Sequence, residues 1–160
     1  MKLRYCAFAS VFAALTFLAT AFLQIPIVGG AGYVHLGDVF VLLGGLMLPL
    51  PYALIASAFG AALADITSGF MLYAPATAVV KALMVLVVWL VCRKSRVWWV
   101  VVLALVAATL VLAAGYFVYE IFIYGISVAL VDIPSNLLQG AVCSVVAFPV
   151  YKLVQNRIVI

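Results

Sequence analysis

Charge is what this chain has least of. Its 160 residues include only 8 Lys or Arg, 4 Asp or Glu and 1 His, so 8% are charged. A soluble domain carries about a quarter. With 71% hydrophobic residues and a mean hydropathy of +1.43, the chain cannot wrap an apolar interior in a polar surface. Its outside must face lipid, and a water-soluble domain is excluded. Nucleic acid is excluded as a partner too, because the net charge of +4 is dispersed over segment ends and forms no basic stripe.

Cysteine and histidine are equally scarce. Cys6, Cys92 and Cys143 are odd in number and far apart, which gives no disulfide or metal framework. They read as small apolar packing residues. One histidine without an acidic cluster at ligand spacing makes a metal site unexpected. There is no Ser/His/Asp order, no useful pair of acids within one segment, and no GxxxxGK[ST] phosphate loop. Neither enzymatic activity nor a cofactor is expected.

What the chain has in abundance is long apolar runs. A helix needs about 20 apolar residues to cross a bilayer, so there is room for at most about six spans with short loops. The expected fold is an all-α integral membrane protein, a six-helix transmembrane bundle forming one membrane-embedded domain over residues 1–160. Span one covers about Tyr5 to Leu23. Its start, Met1-Lys2-Leu3-Arg4, resembles a signal peptide, but the run is long for one and lacks a small-x-small cleavage site, so it reads as a retained span. Gln24 to Val34, with Pro26, Gly29, Gly30 and Gly32, reads as a loop. Leu36–Leu48 and Tyr52–Ala64, separated by Pro49-Leu50-Pro51, are each short for a crossing. They are either two short spans or a re-entrant hairpin. Further spans are expected from Pro75 to about Cys92, from Val97 to Tyr119, and from Asn136 to about Tyr151, the last capped by Ser135 after Pro134. Glu120 to Pro134 is either loop or helix extension. Trp98 and Trp99 at one end of the fifth span and Tyr116, Phe117 and Tyr119 at the other read as two interfacial belts.

Charge orients the bundle. With both termini in the cytoplasm and six crossings, Lys2, Arg4, Arg93, Lys94, Arg96, Lys152 and Arg157 fall inside, as the positive-inside rule requires. Asp38, Asp65, Glu120 and Asp132 fall at or near the outer face.

Candidate function lies in three polar knots between apolar runs. These are Gly32-Tyr33-Val34-His35-Leu36-Gly37-Asp38, Ala64-Asp65-Ile66-Thr67-Ser68-Gly69-Phe70 and Ala74-Pro75-Ala76-Thr77, the last leading to Lys81. Lys81 sits about 9 Å inside the membrane, where a lysine pairs or lines a polar cavity. Thr77 shares its face. Asp38 and Asp65 are its nearest candidate partners, and either a structural ion pair or ligand contact accounts for it. His35 is either an interfacial cap or a ligand donor. Tyr33 suits a pocket wall or a belt. Asn136 with Gln139, and Tyr116 with Glu120, share faces near the outer ends of their helices. On span one, Ala9-x-x-x-Ala13 forms a small-residue ridge that admits another helix closely, from this chain or a partner.

These motifs, with Ala62-Leu63-Ala64-Asp65, Ser68-Gly69-Phe70 and Lys81-Ala82-Leu83-Met84, resemble the substrate-binding S components of energy-coupling factor (ECF) vitamin transporters. The likeness covers about Met1 to Met84; the second half agrees in layout. Pro49-Leu50-Pro51, Thr67 and Ala82 depart from the common pattern. The resemblance implies a subunit of an ABC-type importer in a prokaryotic plasma membrane that captures a small vitamin or precursor from outside and delivers it by toppling. Its nearest branch takes pyridoxine-like or hydroxymethylpyrimidine-like substrates. It further implies that Ala9 and Ala13 dock on a transmembrane coupling subunit and that ATP hydrolysis belongs to two partner ATPase subunits. Substrate contact is expected among Tyr33, His35, Asp38, Asp65, Thr77, Lys81, Tyr116, Glu120, Asn136 and Gln139. The alternative is a six-span scaffold of envelope assembly without transport.

Overall fold

The computed structural model describes residues 2–27 and 33–155. Gly29, Gly30, Gly32 and Arg157, named above, lie outside the described residues. Six helices and one short hairpin follow in order: α1 (Lys2–Phe22), β1 (Gln24–Pro26), β2 (Tyr33–His35), α2 (Asp38–Met47), α3 (Leu50–Thr67), α4 (Ala74–Cys92), α5 (Trp98–Tyr124) and α6 (Ile126–Val154). The helices α1, α3, α4, α5 and α6 are long and apolar enough to cross a membrane; α2 is shorter.

The long helices pack in the sequence α1, α3, α4, α5, α6, each against the next, and α2 touches α1, α3, α4 and α6. It is therefore the centre of the bundle. Its composition explains this. The segment DVFVLLGGLM is apolar on every side, and eight of its ten residues are buried. A helix without a polar face belongs inside protein or lipid, and at about 15 Å it is too short to span lipid alone. The small residues of α3 serve the same end: Ala53, Ala56, Ser57, Gly60, Ala61 and Ala64 are all buried.

Four expectations change. Residues 36–64 are neither two equal short spans nor two halves of one hairpin. Pro49 and Pro51 sit at the start of α3, where proline is tolerated, so α3 runs a full 18 residues while α2 stops at ten. The expected loop 24–34 holds an antiparallel pair, with Gln24 opposite His35 and Pro26 opposite Tyr33. Helix α6 begins at Ile126, ten residues before the expected Asn136, and carries Pro134 and Pro149 inside it. Ser135 is consequently helical and caps nothing. Finally, Tyr116 is buried, not part of a belt, whereas Trp98 and Trp99 are exposed as expected.

The chain's alternation brings one set of helix ends together. The C-termini of α1, α3 and α5 meet the N-termini of α2, α4 and α6. Asp38, Asp65, Glu120 and Asp132 all lie at this end, while Arg4, Arg93, Lys94, Arg96 and Lys152 lie at the other.

Candidate functional site

At the acidic end, a ladder of hydrogen bonds joins every element. The β-hairpin is tied to the end of α3 twice: Gln24 Nε2 donates to Ser68 Oγ at 2.8 Å, and the Tyr33 hydroxyl donates to Asp65 Oδ1 at 2.5 Å. Thr77 on α4 meets the Tyr116 hydroxyl on α5 at 2.9 Å. Tyr73, at the cap of α4, donates to Glu120 Oε1 on α5 at 3.1 Å. Tyr119 donates to the carbonyl of Leu72.

The centre is an ion pair. Lys81 Nζ lies 2.7 Å from Asp38 Oδ1, and both side chains are fully buried. Of the two carboxylates expected as partners, Asp38 is the one. Gln139 on α6 donates to the other carboxylate oxygen, Oδ2, at 2.6 Å, and its own oxygen accepts the backbone N–H of His35 at 2.9 Å. Gln139 thus joins α6, α2 and β2 in one knot. Lys81 Nζ also sits 5.3 Å from the centre of the Tyr116 ring, a cation–π contact.

His35 is buried within this knot. The N–H of Gly37 donates to its Nδ1 at 3.0 Å, which places the single proton of a neutral ring on Nε2. Burial, resisted by Asp38 and aided by Lys81, lowers its pKa from 6.5 to about 4. The unfolded chain therefore binds more protons than the folded chain between those values, and stability falls as pH drops from 6.5 toward 4. Melting temperature measured in detergent between pH 7.5 and 4.5 should decline more steeply for the native chain than for His35→Asn, whose amide oxygen can replace Nδ1. Parallel declines would remove His35 as the cause. Tyr33 is shifted the other way: burial, then the neighbouring Asp65, raise its pKa, so its hydroxyl remains a donor.

Between these groups lies a cavity of about 30 Å³, room for one or two waters. Eight of the ten expected residues line it: Tyr33, His35, Asp65, Thr77, Tyr116, Glu120, Asn136 and Gln139. Asp38 and Lys81 stand behind them and support the wall through Gln139 and Tyr116. Ile27, Phe70, Tyr73 and Asp132 complete the lining and were not assigned from sequence. Tyr73 had one signal, its place directly before the Ala74-Pro75 helix start. The rings of Tyr33 and Phe70 pack at 4.7 Å, and those of Tyr73 and Tyr116 at 6.1 Å. A ring-sized ligand must part some of these rings to enter.

The ridge on α1 lies elsewhere. A Cβ on Gly60 of α3 would come within 2.5 Å of the Ala13 carbonyl, so these backbones touch and only glycine fits there. Ala9 and Ala13 remain partly exposed and, with Ile55 and Phe59, line a shallow apolar groove between α1 and α3. Thr16 and Thr20 turn fully inward.

Comparison with known proteins bears on this arrangement. The family model described as "ECF-type riboflavin transporter, S component" matches residues 1–156. A solved structure, that of the S component of a bacterial ECF transporter, superposes with a TM-score of 0.82 at 20% identity, covering 98% of each chain. At that identity the likeness concerns the fold. Comparison with curated proteins gives no match.

Proposed function

The chain belongs to the ECF-type riboflavin transporter S component family, and from that premise we propose that it captures a small vitamin or vitamin precursor for import. The observation that carries this reading is the buried polar and aromatic cavity at one end of the bundle, lined by side chains from the hairpin and from α3, α4, α5 and α6. Such a mixture of ring walls and convergent polar groups suits a hydroxylated or aminated heterocycle. The segregation of basic residues to the opposite end supports cytoplasmic termini and an outward-facing site. Family membership supports residence in a prokaryotic plasma membrane. Tyr33, His35, Asp65, Thr77, Tyr116, Glu120, Asn136 and Gln139 contact the ligand; Asp38 and Lys81 hold the wall behind them.

The chain is not itself the motor. A transmembrane coupling subunit docks on the α1 groove at Ala9 and Ala13, and two ATPase subunits hydrolyse ATP. Short loops and an apolar exterior suit toppling within the bilayer for release inside. The family's name carries riboflavin, while the sequence motifs resemble the pyridoxine-like and hydroxymethylpyrimidine-like branch. Family membership leaves the envelope-scaffold alternative without support.

The test combines binding and uptake. Purified chain, assayed by calorimetry against a B-vitamin panel, should bind at least one member. Ala9→Trp should retain that affinity within about threefold, yet abolish uptake in cells that express the energising subunits. Failure of the native chain to bind any vitamin would reject the reading. Loss of binding together with uptake would make the ridge internal packing.

A further inference from the structure

The end of the bundle opposite the cavity is charged, and no acidic side chain of the chain is there to meet it. Arg93, Lys94 and Arg96 fall within four residues of the turn that joins α4 to α5, and all three are exposed. Arg4 at the start of α1 and Lys152 in the last turn of α6 lie at the same end. The chain has only four acidic side chains, and all four lie at the cavity end. The positive-inside rule accounts for the side on which such cations lie. It says nothing of what meets their charge.

Three of these side chains fold back along their own helices rather than extending away from the bundle. The Arg93 guanidinium lies 6.0 Å from the centre of the Trp89 ring, Lys152 Nζ 5.9 Å from that of Phe148, and the Arg4 guanidinium 5.7 Å from that of Phe8. Each ring belongs to the residue four places nearer the middle of the same helix. The rings hold one face of each cation and draw it toward the depth where a lipid headgroup meets its acyl chains. Trp98 and Trp99, exposed just after the basic turn, mark the same level, because tryptophan favours the membrane–water interface. A free anion is better met by side chains that extend into water. A phosphodiester anchored in the bilayer is met by side chains laid down against it. Arginine forks match phosphate oxygens two at a time, and basic residues clustered just beyond a helix end attract anionic lipid.

We propose that this end of the bundle binds the headgroup of an anionic phospholipid, with Arg93, Lys94 and Arg96 on its phosphate and Trp98 and Trp99 against its glycerol and upper acyl chains. Such a site is separate from vitamin capture and does not depend on it.

The chain's three tryptophans, Trp89, Trp98 and Trp99, all lie at this end and report on it directly. The experiment measures quenching of their fluorescence in the full chain reconstituted into phosphatidylcholine vesicles. The vesicles carry graded fractions of brominated phosphatidylglycerol, or brominated phosphatidylcholine as the reference. Phosphatidylglycerol should be selected about threefold or more over phosphatidylcholine in about 0.01 M salt. The preference should fade in about 1 M salt, where the screening length falls from about 30 Å to about 3 Å. Arg93→Gln, Lys94→Gln and Arg96→Gln together should bring the low-salt ratio to unity. Inorganic phosphate at matched ionic strength should leave the native ratio unchanged. A native ratio of unity would overturn the site and leave these cations to a protein partner such as the energising subunits. A ratio undiminished in the triple variant would overturn it as well, by placing the selection elsewhere. Displacement by inorganic phosphate would show a free-anion site in place of a lipid site. All three positions lie outside the helices, where substitution is tolerated best. If the triple variant nonetheless fails to insert, Arg96→Gln alone carries the same test, and an unchanged ratio there overturns the site.

Discussion

Replacing Lys81 by methionine will lower stability by about 3–5 kcal/mol, the usual cost of removing one partner from a buried ion pair. Methionine fills nearly the same volume, so little of the loss comes from packing. The loss comes from Asp38. Its Oδ1 faces Lys81 at 2.7 Å in a fully buried setting, and the Gln139 bond to Oδ2 at 2.6 Å cannot compensate a whole charge. Asp38→Asn combined with Lys81→Met removes both charges and should recover more than half of the loss. Equilibrium unfolding in mixed detergent micelles gives both numbers. A single-variant loss below about 1 kcal/mol would mean that water or a shifted backbone reaches Asp38. The effect should spread to the site, because Asp38 holds Gln139 and Gln139 holds β2.

Adding one methyl at Gly37 should be damaging too, though less so. A Cβ there would overlap Thr20 Oγ1 outright and stand 3.0 Å from His35 Nδ1 and 3.1 Å from the Thr16 carbonyl. Thr20 is fully buried, and a β-branched side chain has few rotamers in a helix into which it can retreat. Either α1 or the start of α2 must move, and overpacking of this kind costs about 1–3 kcal/mol. Gly37→Ala should therefore melt several degrees lower than the native chain. Thr20→Ala in the same chain removes the overlapping hydroxyl and should restore most of the loss. Without that rescue, the damage would have to be traced to the Gly37–His35 hydrogen bond instead of the α1 contact.

Both predictions concern residues visible in the sequence, for a physical reason. In a membrane-soluble chain every buried polar group stands out against its background. One lysine six residues beyond a helix start, one histidine and four acids must find one another, and there are few ways to arrange them. Hence a carboxylate partner for Lys81, Asp38 or Asp65, is legible in the sequence, whereas the choice of Asp38 and the Tyr33–Asp65 bond come from the structure. The apolar runs gave the helices for the same reason. The failures share a different cause. Proline reads as a break, yet Pro134 lies within α6 with its side exposed. The backbone group it frees can be met by water near the helix end or by local adjustment. Pro51 sits in the first turn of α3, where it costs nothing. The hairpin strands are three residues each, too short to show a period of two. Tyr73 and Phe70 were lost in an aromatic-rich chain, because a ring carries no signal of which way it faces.

The central position of α2 has a consequence for how the protein is made. Lipid cannot hold a helix of ten residues that carries a carboxylate at its first position. Its neutralising partner, Lys81, leaves the ribosome only after the whole of α3 and the start of α4. Until then the nascent chain holds an unpaired acid beside a half-length apolar plug. The final seating of α2 must wait for its neighbours, so assembly that starts from the N-terminus is completed at the middle of the bundle.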